Sequence, residues 1–506
     1  MPLLSLQEDR EYSADWHLPG STRSIAGRLT YTSQRAELHL NDAFTPLQGS
    51  ISVSDSKPIY PEVYGVSSKG EALTLLKAQS VGTGLNLSSG GMRQPEQLVS
   101  SWLVVGAHLA PEAVFSSVRF VVPGLEAWLS RAAIAQSFNL DSEVGSRSTT
   151  FVVQAPEIET TPAPSIDASL EWGAGANISA NPYQSIAVTV RGWVTLRPTT
   201  PQPLEWYLDQ QGKLAALLAF LSGAPMPVDA IQAYYDESSP PLSVLVTLRQ
   251  GKRCKFKTPS DFFVSRAALK DSFGEIVATW FREIESVLIP SQLALGIITT
   301  ENLWLHIEFA SLIQALEGFH RGRFEGNYMA DAEYNAVKSA LSAAIPSTVS
   351  TAHREALRSR IRYGNQISLS KRLTELRDCL GDQLAGQIIS RDGKVPRNWI
   401  DTRNYHSHWD EELRPSAIDG QAMYNANVRM EHFLRALYLL MAGVPPETLY
   451  LCLQNSSDAS QQLIRLNIID HRAADPTAPS GVLMTIGAGK SSGPPTETKL
   501  DTQVDM

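Results

Sequence analysis

The sequence predicts an α+β, multidomain fold, with a β-rich N-terminal region carrying packed helices and an all-α bundle behind it. Two observations carry this. Period-two alternation of apolar residues dominates the first part, and apolar stripes at helical spacing take over from about residue 295. The 506 residues and 43% hydrophobic content supply ample material for a buried core, and that length accommodates several domains.

The strands come first. Ala36, Leu38 and Leu40 alternate with polar residues, the mark of a half-buried strand. The same alternation recurs at Val118, Phe120 and Val122, at Ile186, Val188 and Val190, and at Leu242, Val244, Val246 and Leu248. Turn signals such as SSKGE and NLSSGG separate the runs. The proline- and threonine-rich stretch QAPEIETTPAPS at 154–165 reads as a linker or long loop that divides two β sections.

Helices follow. Leu214, Leu217, Leu218 and Leu221 make one stripe, and Phe273, Ile276, Val277 and Trp280 a second; both are expected to pack on the β region. Three longer stripes then suggest a bundle of four or five helices: Leu305, Phe309, Leu312, Leu316 and Phe319; Leu369, Leu373, Leu376 and Leu380; Met430, Phe433, Leu434 and Leu437. The final stretch, from 471 on, lacks aromatic residues and is rich in Pro, Gly, Ser and Thr, the composition of a disordered tail. The expected division is therefore 1–292, 293–470 and 471–506.

Composition limits the function classes. A formal net charge of −9 excludes a uniformly basic nucleic-acid coat, though not a local basic site. Cys254, Cys379 and Cys452 are widely spaced, with no CxxC pair, so neither a disulfide framework nor a cysteine zinc site is expected. The N-terminus reads as no signal peptide, and apolar runs such as LAALLAFLSG are too short to span a bilayer. These features together suggest a cytoplasmic protein with reduced thiols, no membrane contact and no metal or cofactor.

One stretch carries chemistry: DTRNYHSHWDE, at 401–411. An arginine forks onto phosphate oxygens, and a histidine takes a proton near neutral pH. Together they suffice to cleave RNA without a metal. The base removes the 2′-OH proton, that oxygen attacks the adjacent phosphorus, and the guanidinium stabilises the charge on the phosphoryl oxygens. The products are a 2′,3′-cyclic phosphate and a 5′-OH, and DNA cannot react this way. The bare pattern also occurs at Arg10 with His17 and at Arg465 with His471. Arg403, Asn404 and His408 are preferred because asparagine follows the arginine and the copy lies inside the helical region after Pro396, a residue suited to starting a helix. On an ideal helix, positions five apart point about 140° away from each other. Arg403 and His408 therefore need either an irregular helix start or a second copy across a homodimer. His406, three residues from Arg403 and on its face, is the alternative base.

RNYHSH on a helix of a small bundle resembles the signature motif of HEPN-domain proteins. FASLIQALEGFHRGRF at 309–324 and RYGNQISLSKRLTELRDCL at 362–380 resemble further blocks of the ApeA-type HEPN branch. AGRLTYTSQRAELHLND, YPEVYGVSSKGEALTLLKA, LVVGAHLAPEAVFSSVRFVVPGLEAWL and LEWYLDQQGKLAALLAFLSG resemble its companion N-terminal domain. The resemblance spans roughly residues 10–470. It implies an anti-phage abortive-infection protein whose HEPN domain is a metal-independent endoribonuclease, with host RNA, tRNA among the candidates, as substrate. Arg403, Asn404 and His408 match the motif, and Glu317 lies where HEPN proteins often carry an acidic residue that orients the arginine. The N-terminal domain would sense a phage-derived trigger. The alternative is a non-catalytic RNA- or nucleotide-binding module, in which Arg403 and His408 only contact phosphate.

Other features are weaker. Arg354, Arg358, Arg360, Arg362, Lys371, Arg372 and Arg377 suggest either a basic face or a solvated one paired with Glu355 and Glu375, and none is singled out as a substrate contact. His320 and Arg321 either point into the site or cap their helix. GVSSKGEA at 65–72 lacks P-loop spacing and reads as a hairpin turn, and His39 and His108 read as structural.

Overall fold

The computed structural model describes residues 3–45, 57–84, 86–88, 91–129, 134–141, 146–154, 156–181, 183–236, 238–247, 256, 258–300, 302–455 and 457–474. Leu248, Cys254 and residues 475–506 of the expected tail lie outside these.

Thirteen antiparallel strands form one sheet: β1 Arg10–His17, β2 Ile25–Tyr31, β3 Ala36–Leu40, β4 Ile59–Ser67, β5 Ala72–Thr83, β6 Glu96–Ser100, β7 Trp102–Val105, β8 Ser117–Val121, β9 Glu159–Ala163, β10 Ala168–Asn181, β11 Ser185–Pro198, β12 Ala230–Tyr234 and β13 Leu242–Val246. Their order is β9-β10-β11-β8-β12-β13-β7-β5-β4-β1-β2-β3-β6, and a further β5–β6 pairing closes the last six strands into a barrel. β5 is long enough to serve both parts. Its first half pairs with β7 and its second half with β6. Ser100 makes the corner between those partners, its Oγ donating to Leu76 O at 2.5 Å and accepting from Trp102 N at 3.0 Å. Trp16 fills the barrel and lies so close to β4 that a Cβ at Gly65 would stand 2.6 Å from its ring. As expected, residues 68–71 turn the chain between β4 and β5.

Two strand expectations need correction. The stretch 154–165 does not divide two β sections, because its residues 159–163 are β9 and join the same sheet. Proline has no N–H to give, and β9 tolerates Pro162 because it lies at the sheet edge. The Trp172 indole of β10 anchors it by donating to Thr161 Oγ1 at 2.8 Å. Ile186, Val188 and Val190 do lie on a strand, but Ile186 is 68% exposed. They belong to the far half of the β10–β11 hairpin, which extends past the core.

The longer helices are α1 Leu204–Ser222, α2 Phe273–Glu283, α3 Leu288–Thr299, α4 Leu305–Arg323, α5 Asp331–Ala343, α6 Thr351–Arg362, α7 Leu369–Ile388, α8 Arg397–His408, α9 Gly420–Met441, α10 Pro446–Leu453 and α11 Asp458–Ala474. Every stripe residue named above is buried except Leu305 and Leu369, which are half-buried. Where four or five helices were expected after residue 300, eight are present among the described residues. The reason is local. Gly326, Gly381, Gly393 and Gly443 adopt positive φ, three of them in the turns between these helices and Gly381 at a kink inside α7. The expected boundary at 292/293 falls inside α3, which packs on both α1 and α4. The final helix also continues to Ala474, beyond the expected start of the tail at 471.

The two halves share one apolar core. Tyr438 of α9 stacks on Phe220 of α1 with ring centroids 4.5 Å apart and meets Phe319 of α4 at 4.9 Å. Arg435, 1% exposed, donates to Gly223 O at the end of α1 (3.1 Å), to Glu431 Oε1 (2.7 Å) and to His432 Nδ1 (3.2 Å).

Candidate active site

Pro396 precedes α8 in extended conformation, and the Arg397–Asp401 ion pair at 3.1 Å spans its first turn. Trp399, Ile400 and Thr402 are buried, and the Thr402 hydroxyl accepts from Ile418 N at 2.9 Å. That buried face fixes the rotation of the helix. It leaves residues 403–406 half-buried along the flank and 407–410 exposed.

The motif thus occupies the last two turns of a regular helix, and the irregular start that would bring its members together is absent. Apolar anchoring at Trp399 and Ile400 starts the helix six residues before Arg403. Arg403 faces α4, where its Nη2 lies 3.8 Å from Glu317 Oε2, while its Nη1 donates to Asn404 Oδ1 at 3.3 Å. His408 is the last residue of α8 and is exposed. The structure therefore brings together Arg403, Asn404 and Glu317, and leaves His408 on another side of the same helix. His406 packs on His306, ring centroids 6.2 Å apart. Its imidazole is held below the usual range, first by burial and then by the His306 charge. His306 was not found from sequence, because nothing local pairs residues a hundred positions apart.

A second network braces Glu317. Arg321, one turn on, donates to Glu317 Oε1 at 2.9 Å and to Gln366 Oε1 at 3.3 Å. His320 points the other way, into the protein. Arginine can only donate, so Arg372 Nη1, 2.9 Å from His320 Nδ1, makes that nitrogen the acceptor, and Nε2–H then donates to Glu375 Oε2 at 2.7 Å. His320 neither lines the site nor caps its helix: it is wholly buried. Arg372, 2% exposed, is likewise lost to any basic face, as is Arg377, whose Nε donates to Gly393 O at 2.7 Å and whose guanidinium also pairs with Asp378 and Asp382. Of the other motif copies, Arg10 and His17 sit at opposite ends of β1, roughly 24 Å apart. Among the described residues, no group of three or more His, Cys, Asp or Glu side chains is placed to hold a metal ion, and no helix is long and apolar enough to cross a membrane.

Burial lowers the His320 imidazole despite Glu375, and lowers His432 further, with Arg435 adding to the effect. Both rings are therefore neutral in the fold and protonate more readily in the unfolded chain. Stability is complete above the ordinary histidine value of 6.5 and falls as pH drops below it. The expected result is a thermal midpoint that is flat from pH 8 to 7 and declines below about pH 6.5, with a shallower decline in His320→Gln. An equal slope in that variant would remove His320 from the account.

An antiparallel barrel joined through a shared core to a helical bundle, with an arginine, an asparagine and two histidines at the end of a bundle helix, defines a two-part protein with a candidate site in the second part. The comparisons agree. Residues 11–280 match the family model ApeA N-terminal domain 1, and residues 310–448 match Apea-like HEPN. The chain belongs to the ApeA-type HEPN defence proteins. HEPN domains are in general ribonucleases. No curated protein and no solved structure matches the chain.

Proposed function

We propose that the chain is a metal-independent endoribonuclease of anti-phage abortive infection, with Arg403, Asn404 and His408 as its catalytic group. The observation that carries this reading is the posture of Arg403. It is half-exposed at the end of α8, steered by Asn404 and Glu317 rather than buried in a structural ion pair. A guanidinium so held is preorganised for a phosphoryl group. His408, or His406 in the alternative, removes the 2′-OH proton, and the products are a 2′,3′-cyclic phosphate and a 5′-OH.

The separation of Arg403 and His408 around α8 favours a homodimer in which the arginine of one copy works with the histidine of the other. The barrel half then acts as a sensor for a phage-derived trigger, transmitted through the α1–α9 contact. Host RNA is the substrate, tRNA among the candidates.

The test is RNA integrity with end analysis. Wild type is incubated with total bacterial RNA in EDTA, with and without phage lysate. Discrete fragments ending in cyclic phosphate support the reading; RNA left intact in all conditions removes it in favour of phosphate binding alone. Glu317→Gln keeps the shape of the side chain and loses its charge, so Arg403 is held less firmly. It should lower kcat about tenfold with KM nearly constant. An unchanged kcat would reduce Glu317 to a partner of Arg321.

A further inference from the structure

Aromatic rings continue the α8 motif beyond its polar part. Trp409 lies 6.1 Å from Tyr405 and 6.5 Å from His406, ring centroid to centroid. Across from α8, His306 neighbours His406, and Trp304 lies 6.1 Å from His306. Both indoles face solvent: Trp409 is 71% exposed and Trp304 73%. Neither fills a core, so packing does not account for them.

The backbone at Trp409 is the second observation. It ends α8 in the left-handed region, at φ 52° and ψ 41°, with its N–H bonded to Tyr405 O at 2.7 Å. Glycine is the usual residue there, because a Cβ is strained in that conformation. A bulky ring held at a strained helix end, directly after His408 and open to water, points to a use outside the fold.

We propose that Trp409, together with Trp304, stacks on a nucleobase flanking the phosphodiester that Arg403 engages, which makes Trp409 a positioning residue for cleavage. This rests on the ribonuclease reading above. The chemistry fits a nucleic acid better than a protein surface. Flat π faces alternate with imidazoles next to a guanidinium, and single-stranded nucleic acid is held by that combination of stacking and backbone charge. Asn404, Ser407 and His408 lie among the rings, so this face mixes polar groups with the π faces.

The test separates stacking from structure and from catalysis. Full-length protein carrying whichever of His408→Ala or His406→Ala abolishes cleavage is titrated with fluorescently labelled oligoadenylate and oligouridylate, alone and combined with Trp409→Gly or Trp409→Phe. Trp409→Gly should weaken oligoadenylate binding about tenfold, and oligouridylate binding less, since the larger base loses more stacking; Trp409→Phe should cost about threefold or less. The thermal midpoint of Trp409→Gly should stay level or rise, because glycine relieves the backbone, whereas a structural tryptophan would lower it. In the cleaving chain, Trp409→Gly should raise KM for RNA while kcat at saturation holds. Unchanged oligonucleotide binding, no binding by the parent, or a loss of binding that tracks dissociation of the protein in sedimentation each overturns the proposal, the last in favour of a contact between subunits. Failure of the ribonuclease reading looks different: binding would still depend on Trp409, but wild type would cut nothing.

Discussion

On the proposed reading, His408→Ala and Arg403→Ala should each reduce RNA cleavage by at least about a hundredfold, the usual effect of removing a general base or a charge-stabilising donor. Neither should lower folding stability by more than about 0.5 to 1 kcal/mol, since His408 is exposed and the Arg403–Glu317 pair is long and partly solvated. That contrast, activity lost while the unfolding curve holds, is what marks a catalytic group. Arg403→Lys should also fail, because an ammonium keeps the charge and loses the fork. His406→Ala should retain most activity. If it is the dead variant instead, the proton acceptor is His406, and the pH–rate profile should then have its acid limb below 6.5, since burial and His306 both lower that ring. The dimer adds a sharper test. With Arg403 and His408 drawn from different copies, a mixture of the two inactive single variants forms heterodimers with one complete site, and part of the activity returns. Mixtures that stay inactive, despite demonstrated exchange of subunits, would require both residues to act within one chain.

The helical half was the more legible from sequence, and the reason is distance along the chain. A stripe such as Leu305, Phe309, Leu312, Leu316 and Phe319 is written within one short stretch, and all but the half-buried Leu305 are buried as expected. The closure of the barrel is not written locally. It depends on β5 bending between two partners and on Ser100 turning the chain from one to the other. Period two also says which residues lie on a strand without saying whether anything covers them, which is why Ile186 alternates correctly and is still exposed. In the site, α8 and its motif residues could be read directly, and Glu317 through the resemblance. What could not be read was direction. The motif falls at the end of the helix because Trp399 and Ile400 are its anchors. Counting arginines likewise does not reveal that Arg372 is buried against His320. Trp409 carried no signal in the sequence, since only its left-handed backbone and its exposure set it apart from an ordinary core tryptophan.

Gly223→Ala is expected to cost about 2–4 kcal/mol, a large stability loss for so small a change. Gly223 ends α1 at φ +86°, a conformation that strains any side chain. Its missing Cβ also leaves room for the start of α11: an added methyl would overlap the Ala459 Cβ and stand 3.1 Å from Phe263 Cβ. Both of those contacts are backbone-proximal carbons, so neither neighbour can rotate away and one helix must shift. The same residue presents its carbonyl to Arg435, whose guanidinium is buried and whose Nε has no hydrogen-bond partner. A shift at Gly223 therefore loosens a buried charge as well as a packing contact, and a buried cation that loses an acceptor is expensive. Because α1 belongs to the barrel half and α9 and α11 to the bundle, the damage should appear at their junction. Differential scanning calorimetry should show one transition for the wild type, and in the variant that transition lowered or split in two. Gly223→Ala in a background of Ala459→Gly removes the overlap with Ala459 and should recover part of the loss, leaving the backbone strain and the tight Phe263 contact. If Gly223→Ala unfolds like wild type, the two halves are not tightly packed at this point, and a trigger sensed by the barrel would need another route to Arg403.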